Sequence, residues 1–335
     1  MFTAKSHPNI ALIKYWGKKD KESNTPIHGS LSVTLDFGET TTTAKFQNDD
    51  IEDKLFLNNK SVQISARHQR AIDFFQPCIN KTCQSSKFFI NSENDFPTAA
   101  GFASSASGSA AFVCSIASLV GDTKEPIQFW NERNINLSRI TRMVSGSGCR
   151  SIYGGFVEWS SGDDLSSIST QLFNENYWPE FVGLSICLSS SAKQVSSTEG
   201  MQRSVETVPW LQYRADNIVP PRLISLKNAI EKRDFNQLGE ITMKESNELH
   251  ANCAASYPPF RYLTEESYKI IDTIHILNSK HQNNIIAAYT FDAGPNPFIF
   301  CQENNVNEIK ETLVQIGIPE KSIKLTKPAN GVMII

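Results

Sequence analysis

The sequence predicts an α+β fold in two domains, with mixed or antiparallel sheets packed against helices. Its 335 residues are enough for two domains with substantial cores. Short runs that alternate polar and apolar residues, or are rich in β-branched residues, predict antiparallel strands. Longer apolar segments with helical periodicity predict the helices. Because a strand begins near residue 181, after a polar Ser- and Asp-rich segment at 161–178, we divide the chain into domains 1–180 and 181–335.

The elements of the first domain follow from local patterns. The helix at 129–144 is predicted because Leu137, Ile140 and Val144 fall on one face. Residues 161–178 are too polar for a core element, and we interpret them as a surface excursion. The predicted elements are strands beginning at Asn9 and at 30–36, 40–46, 87–91 and 153–159, and helices at 65–75, 110–120 and 129–144.

The second domain alternates helices and strands in the same way. Pro220 and Pro221 begin its first helix, a position where proline is tolerated because its missing N–H has no helical partner. The predicted elements are strands at 182–188, 285–291, 297–301 and 323–325, and helices at 218–232, 235–250, 265–279 and 306–316.

Charge and cysteine content exclude several classes of protein. With 32 Lys and Arg against 35 Asp and Glu, the chain has no broad field that would recruit nucleic acid or an anionic membrane. The seven cysteines are scattered singly without a CxxC pair, which disfavours a disulfide framework or a zinc site. No N-terminal apolar run and no uninterrupted apolar segment of about 18 residues is present. We therefore expect a soluble, cytoplasmic protein.

The most distinctive segment runs from Pro97 to Ala111 through small residues and then enters an apolar helix. Small residues let backbone N–H groups approach a ligand, and a helix start adds unpaired donors and a positive dipole end. These features favour a phosphate-binding loop. The segment has neither the Walker A nor the Rossmann glycine pattern. On composition alone, a flexible Gly/Ser connector is the alternative.

Two groups of cations are candidate ligand contacts. Lys14, Lys18 and Lys19 follow the first apolar run beside Tyr15, and could form a cationic floor for a phosphorylated ligand. Solvated surface charges are the alternative for these lysines. Arg150 lies in a second small-residue loop, where its guanidinium is suited to bidentate binding of phosphate or carboxylate. An exposed arginine at a helix C-terminus is the alternative there.

Asp292 is the candidate catalytic acid or base. It begins the turn that separates two apolar strands, and Asp in such a turn is commonly structural. At the end of an apolar strand, its carboxylate could instead project into a cleft. There Lys18 or Arg150 would keep Asp292 ionised and able to orient or deprotonate a hydroxyl.

Four segments together resemble the mevalonate diphosphate decarboxylase family of the GHMP kinase superfamily. The small-residue loop is shared across the superfamily, whereas KYWGK, SGSGCRSIYGGFVEW and FDAGPN are characteristic of the decarboxylase branch. The helix at 242–250 is similar as well. The four segments are residues 9–20, 97–110, 145–159 and 289–296. The resemblance implies a GHMP-kinase-like fold with an active-site cleft between the domains, ATP and Mg²⁺ as cofactors, and a homodimer.

The implied activity is ATP-dependent decarboxylation of (R)-5-diphosphomevalonate to isopentenyl diphosphate in the mevalonate pathway. ATP phosphorylates the 3-hydroxyl, and ADP, phosphate and carbon dioxide are released. The resemblance implies that Asp292 orients or deprotonates this hydroxyl, that Lys18 balances charge near it, and that Arg150 holds the substrate carboxylate. The other implied substrate contacts are Tyr15, Lys18, Ser145, Ser147, Ser197 and Met201. The implied ATP contacts are Pro97, Ala100, Gly101, Ala103, Ser104, Ser105, Ser107 and Gly108, with Ser105 also a candidate ligand of Mg²⁺.

Three positions depart from the family pattern. Phe102 stands where Leu is common and Gly148 where Ala is common, both small changes that keep the hydroxyls and the cation in register. Thr198 stands where some bacterial relatives carry Arg, which leaves the diphosphate one cation short. A decarboxylase acting on 5-phosphomevalonate therefore remains an alternative, as does a mevalonate-type kinase. A non-catalytic metabolite-binding regulator is a more remote alternative, because the acid and the arginine are both retained.

Overall fold

The mixed α and β architecture confirms the predicted fold class. The structure, a computed structural model, describes residues 1–47, 52–79, 87–96, 104–189, 191, 193–282 and 284–335. The strands are β1 (Phe2–Ser6), β2 (Asn9–Ile13), β3 (Ser30–Thr34), β4 (Thr40–Gln47), β5 (Lys54–Leu57), β6 (Lys60–Val62), β7 (Lys87–Asn94), β8 (Phe156–Trp159), β9 (Ser169–Phe173), β10 (Phe181–Ile186), β11 (Ala287–Phe291), β12 (Pro297–Gln302), β13 (Ile323–Thr326) and β14 (Met333–Ile334). The helices are α1 (Ala66–Phe75), α2 (Ser104–Gly121), α3 (Pro126–Asn131), α4 (Leu137–Val144), α5 (Ser197–Thr207), α6 (Leu211–Tyr213), α7 (Val219–Glu231), α8 (Phe235–Ala255), α9 (Glu265–Lys280) and α10 (Val306–Gln315).

Within the described residues, the strands form three sheets. The first has the order β14-β1-β4-β7-β5-β6, the second β2-β3-β8-β9, and the third β11-β12-β10-β13. Neighbouring strands pair antiparallel, except that β5 and β7 run parallel. Strand β14 pairs with β1, so the last strand in sequence belongs to the sheet formed by the N-terminal part of the chain.

The second and third sheets share one apolar core, and this places the ends of β2 and β11 near each other. Ile10 and Val33, from the second sheet, lie in the same buried cluster as Leu184 and Phe298, from the third. A separate cluster forms where α1, α2 and α4 cover the first sheet. Because the shared core fixes β2 against β11, the residues that follow these two strands are held in a defined relation.

Helix α2 begins at Ser104, six residues earlier than predicted. Serine and glycine have modest intrinsic helix propensity, so its first turn is stabilised by packing. Ser107 is buried, and its hydroxyl lies 2.7 Å from that of Thr40 in β4. In the described part of the chain, α2 is also the helix that is long and apolar enough to cross a membrane, but 72% of it is buried inside the protein. It is therefore a core helix.

Residues 129–144 form two helices rather than the single predicted helix. Helix α3 ends at Asn131, and Asn134 has a φ of 60°, which a continuous helix would not contain. The Asn136 side chain then accepts the N–H of Ser138 at 2.9 Å and begins α4. Asparagine tolerates positive φ and favours helix N-termini, so tertiary packing and these two residues outweigh the apolar periodicity. The 145–151 loop also has regular structure, a 3-10 segment at Gly146–Ile152.

Several elements were not predicted. The segment 161–178, interpreted as a surface excursion, contains β9, which pairs with β8. Helix α5 begins inside a Ser-rich stretch, where Ser196 accepts the N–H of Glu199 at 3.1 Å. That Ser-x-x-Glu spacing is a helix-start pattern that the sequence does contain. The remaining unpredicted elements are β1, β5, β6, β14 and α6.

Arg142 in α4 joins two loops to the body of the protein. Its side chain is fully buried, and its guanidinium donates to the carbonyl oxygens of Ser23 at 3.0 Å, Asp164 at 2.8 Å and Ser167 at 2.5 Å. It also donates to the Asp164 carboxylate. Arg139, one turn earlier, bonds the same carboxylate but keeps 27% of its side chain exposed.

We expect Arg142→Met to lower the free energy of unfolding by roughly 3–5 kcal/mol, because three carbonyl oxygens each lose a donor at a cost of about 1–3 kcal/mol. Arg139→Met is the matched control and should cost about 1 kcal/mol or less, because its ion pair is solvent-screened. Urea denaturation of both variants measures the difference. Equal losses would show that burial of Arg142 adds nothing to stability.

Candidate active site

A buried ion pair joins the ends of β2 and β11. Lys14 Nζ lies 2.6 Å from Asp292 Oδ1. The Lys14 side chain is 1% exposed, whereas Asp292 keeps 27% of its side chain open to solvent. Burial lowers the pKa of Lys14, and the Asp292 carboxylate opposes that effect. The pair thus presents a carboxylate with an accessible face, held by a cation that solvent does not reach.

Lys14, and not Lys18, is the cation that contacts Asp292. Lys18 Nζ instead donates to Asn24 Oδ1 at 2.7 Å. Gly17, with a φ of 114°, turns the chain between the two lysines and directs them differently. The charge balance that the resemblance assigned to Lys18 therefore falls to Lys14. Burial, together with the charge of Arg67 in α1, lowers the pKa of Lys18 to about 8, and Lys18 remains a candidate phosphate contact.

Arg150 is held from two sides inside the protein. Its side chain is buried, Nε donates to Asn9 Oδ1 at 3.0 Å, and Nη1 donates to Ser30 Oγ at 2.6 Å. Its guanidinium lies 5.8 Å from the ring centre of Trp159. Burial lowers the pKa of Arg150, and the charge of Asp292 opposes that change. This burial excludes the exposed helix-end alternative.

Tyr15 lies against the small-residue segment that leads to Arg150. Its ring centre is 4.6 Å from that of Trp159, and its buried hydroxyl has no hydrogen-bond partner among the residues that the structure describes. A Cβ on Gly146 would come within 2.6 Å of this hydroxyl, so glycine is required for the approach. Ser145 and Ser147, whose hydroxyls are 3.5 Å apart, flank that glycine. Tyr15, Ser145 and Ser147 are thus brought together.

The start of α5 lies beside this group. Ser197 is the first residue of α5, and its neighbour Ser196 caps the helix. Met201 is buried in a cluster that also contains Trp16 and Ala293, the residues two after Lys14 and one after Asp292. The Met201 side chain therefore anchors the helix. The first turn of α5 carries the positive end of the helix dipole, which suits an anionic group.

The candidate ATP residues divide into those that the structure describes and those that it does not. Ser105 is exposed in the first turn of α2, whereas the Ser107 hydroxyl is directed inward to Thr40. Among the described residues, a Cβ on Gly108 would meet no atom within 4 Å. Ser104 begins the helix. The predicted contacts Pro97, Ala100, Gly101 and Ala103 lie outside the described residues.

Gly148 connects the two halves of the site. A Cβ at this position would lie 2.9 Å from Ser109 Cβ and 3.3 Å from the Ala106 carbonyl oxygen. The 3-10 segment with Arg150 therefore packs directly on the second turn of α2. Although Ala is common here in the family, an alanine in this chain would require one of the two elements to shift.

Sequence reasoning missed some of the residues that build this site. Asn9 and Ser30 hold Arg150, and only long-range geometry reveals that role. Lys193 donates to the Ala293 carbonyl oxygen at 3.2 Å, next to Asp292. Burial lowers the pKa of Lys193, and the charge of Asp292 opposes the effect. Its position in a Ser-rich stretch gave no indication of this placement.

The residues present fit a triphosphate carried with Mg²⁺. In the ranges given above, no group of three or more His, Cys, Asp or Glu side chains could hold a metal ion. Mg²⁺ commonly keeps several waters and binds through substrate phosphates and one or two protein ligands, so a dedicated cage is not needed. The N-terminal turn of α2, with the exposed Ser105 hydroxyl, would provide donors for such a ligand.

Two family models match the chain. One described as diphosphomevalonate decarboxylase-like N-terminal domain matches residues 6–171, and one described as mevalonate 5-diphosphate decarboxylase C-terminal domain matches residues 184–331. Diphosphomevalonate decarboxylase of Bos taurus is 40% identical over 333 residues, which cover 94% of this chain and 80% of that relative.

Solved structures show the same similarity. Mevalonate diphosphate decarboxylase from Trypanosoma brucei is 32% identical with a TM-score of 0.86, covering 100% of this chain and 97% of that one. A structure described as MDDEF in complex with MVAPP, AMPPCP and magnesium is 31% identical with a TM-score of 0.84. The match covers 100% of this chain and 98% of that one. The chain therefore belongs to the mevalonate diphosphate decarboxylase family.

Proposed function

We propose that the protein is an ATP-dependent decarboxylase of (R)-5-diphosphomevalonate that produces isopentenyl diphosphate in the mevalonate pathway. The observation that carries this proposal is the accessible carboxylate of Asp292, paired with buried Lys14 in the electrostatic field of buried Arg150. Phosphorylation-assisted decarboxylation needs a carboxylate that orients or deprotonates the substrate hydroxyl. It also needs a cation that holds the substrate carboxylate, and Arg150 can provide it. Relatives named diphosphomevalonate decarboxylase support the proposal.

In the first step, the substrate 3-hydroxyl oxygen forms a bond to the γ-phosphorus of ATP, and the bond to ADP breaks. Asp292 accepts a hydrogen bond from the hydroxyl and aligns its oxygen, and the hydroxyl proton passes to the Asp292 carboxylate or to an oxygen of the transferred phosphoryl group as the new bond forms. Lys14 fixes the carboxylate through Oδ1. The positive charge of Lys18 would attract the phosphates.

In the second step, the 3-phosphate leaves and the bond between the carbon chain and the carboxylate breaks. Its electron pair forms the new double bond, and carbon dioxide is released. The Nη2 edge of Arg150 would hold the carboxylate in place, since Asn9 and Ser30 fix the rest of the guanidinium. Tyr15, Ser145 and Ser147, with the start of α5, would seat the diphosphate.

The ATP phosphates would bind at the start of α2, where Ser105 is exposed and no described residue covers Gly108. Mg²⁺ would travel with these phosphates and neutralise part of their charge, with the Ser105 hydroxyl as its candidate protein ligand. Arg67 in α1 lies close enough to influence the charge of Lys18, which supports a contribution of α1 to the nucleotide side.

Thr198 supports one alternative substrate. It lies in the first turn of α5, at the predicted diphosphate seat, and supplies a hydroxyl instead of a cation. A monophosphorylated substrate would need less charge compensation there. The second candidate function is therefore decarboxylation of 5-phosphomevalonate.

A cytoplasmic homodimer belongs to the same proposal. Six cysteines in the described part of the chain are unpaired, which fits a reducing compartment. Val205, Trp210 and Tyr213 expose apolar side chains on α5, α6 and the residues between them, and such surfaces are common at subunit contacts. The family resemblance supports both statements.

We expect purified protein with Mg-ATP and 5-diphosphomevalonate to release ADP, phosphate and carbon dioxide in equal amounts. Coupled measurement of ADP and trapped carbon dioxide, with 5-phosphomevalonate as the parallel substrate, tests the proposal. ADP without carbon dioxide would indicate a kinase. Turnover of the monophosphate alone would establish the alternative substrate, and no turnover would favour the non-catalytic regulator.

We expect Asp292→Asn to lower kcat by about 10²–10⁴-fold while ATP binding changes little, because the carboxylate acts mainly in the transition state. Steady-state kinetics and nucleotide titration measure the two effects. Asp272→Asn, on an exposed part of α9, is the control and should keep wild-type kcat. If Asp292→Asn retained most of the activity, Asp292 would have no part in the chemistry.

We expect Tyr15→Phe to leave the free energy of unfolding unchanged or higher, because the lost hydroxyl has no partner among the described residues. The same change should lower kcat/KM by about 10- to 100-fold if the hydroxyl bonds a charged diphosphate. Tyr177→Phe gives the opposite pattern, since its hydroxyl donates to the Glu231 carbonyl oxygen at 2.7 Å away from the site. Unchanged kcat/KM in Tyr15→Phe would remove Tyr15 from substrate binding.

A further inference from the structure

Two adjacent residues of α8 hold the main chain on both sides of the Lys14–Asp292 pair. Glu245 Oε2 accepts the backbone N–H of Lys14 at 3.0 Å, and Ser246 Oγ accepts the backbone N–H of Phe291 at 3.0 Å. Phe291 is the residue before Asp292. We propose that Glu245 and Ser246 are positioning residues that set the relative placement of Lys14 and Asp292. The catalytic part of this inference rests on the function proposed above for Asp292.

The burial of Glu245 indicates that its carboxylate serves a defined purpose. It is fully buried, and a buried carboxylate is unfavourable unless cations and hydrogen bonds compensate it. Arg214 donates to Oε2 at 2.5 Å, and Arg222 donates to Oε1. The N–H that Oε2 accepts from Lys14 follows the last residue of β2. The Glu245 carboxylate thus holds the backbone just after β2, where the Lys14 side chain is directed towards Asp292.

A second layer fixes the arginines that hold Glu245. Glu248, which follows Glu245 by about one helical turn in α8, forms ion pairs with both Arg214 and Arg222. Arg214 Nη1 also donates to His28 Nε2 at 3.0 Å, while His28 Nδ1 donates to the Gly29 carbonyl oxygen. Burial and the charge of Arg214 lower the pKa of His28 to about 4, so the ring is neutral and can accept this bond. Glu245 therefore has little freedom to rotate.

Helix α8 also lies close against β11, which makes the Ser246 contact stiff. A Cβ on Gly239 would lie 3.1 Å from Ala288 Cβ and 2.7 Å from the Ile285 side chain. There is no space for α8 to move towards the strand. The hydrogen bond from the Phe291 N–H to the Ser246 hydroxyl therefore fixes the position of the Phe291 backbone relative to α8. Asp292 follows directly, so its carboxylate inherits that position.

Glu245 also acts on the charge of Lys14. The charged and titratable groups that face Lys14 are Asp292 in the turn, Glu245 and His250 in α8, and Arg150 in the 3-10 segment. Burial and Arg150 lower the pKa of Lys14, whereas Asp292 and Glu245 raise it. Removing the negative charge of Glu245 should therefore lower the Lys14 pKa further and reduce its charge at high pH.

The test compares Glu245→Gln with Glu248→Gln in the full chain. Both variants remove a carboxylate from the same two arginines, but only Glu245 contacts Lys14. We expect Glu245→Gln to lower kcat by about 10- to 100-fold, the effect of a misplaced catalytic group, with KM nearly unchanged. The loss of kcat in Glu245→Gln should grow as pH rises, because Lys14 in this variant loses its charge at a lower pH than in the wild type. Glu248→Gln should lower thermal stability and lower kcat much less than Glu245→Gln does, because Arg214 and Arg222 still hold the Glu245 carboxylate in that variant.

An NMR titration of labelled lysine, assigned with Lys14→Arg, gives a readout that needs no turnover. The Lys14 pKa should fall in Glu245→Gln and stay in place in Glu248→Gln. Equal effects of the two variants on kcat, with an unmoved Lys14 pKa, would reduce Glu245 to a structural role and overturn the inference. If wild-type protein did not decarboxylate its substrate, the titration alone would decide between the two outcomes for Glu245.

Ser246→Ala tests the same inference if Glu245→Gln fails to fold. It removes one hydroxyl and no charge. The control is Ser256→Ala, at the residue that follows the last residue of α8. We expect kcat to fall for Ser246→Ala while the KM values of both substrates stay near those of the wild type. A wild-type kcat for this variant would overturn the positioning role.

Discussion

The burial of the positive charge of Lys14 is the constraint on which the site depends. An ammonium group that is 1% exposed loses its hydration and needs opposite charge close by. Asp292 supplies a direct contact and Glu245 a second negative charge. These residues belong to three distant parts of the sequence. The fold therefore has to bring the end of β2, the middle of α8 and the turn after β11 to one point, which the core shared by the second and third sheets makes possible.

The sequence carried the fold class and several site residues for physical reasons that act locally. Apolar periodicity indicated α7, α8, α9 and α10, and β-branched alternation indicated β3 and β4. Asp292 and Arg150 were candidates because each is charged and lies beside small residues at the end of an apolar element, and the family resemblance then implied their roles. Both are indeed placed around Lys14, although their roles in the reaction stay predictions.

What the sequence could not reveal depends on contacts between distant residues. Lys14 and Lys18 have the same chemistry and lie four positions apart, and only the turn at Gly17 and the position of β11 decide which one meets Asp292. Asn9 and Ser30 carry no charge and became visible only through Arg150. The split between α3 and α4 depends on two asparagines whose local preferences override a strong apolar face.

The core shared by the second and third sheets also limits how the molecule can move. Side chains from β2 and β3 interlock with those from β10 and β12 in one densely packed cluster. A hinge between the two halves of the chain would have to open that cluster, and packed interiors resist such deformation. We therefore expect entry of substrate and exit of carbon dioxide to proceed through rearrangement of segments around the site, while the sheets keep their mutual orientation throughout turnover.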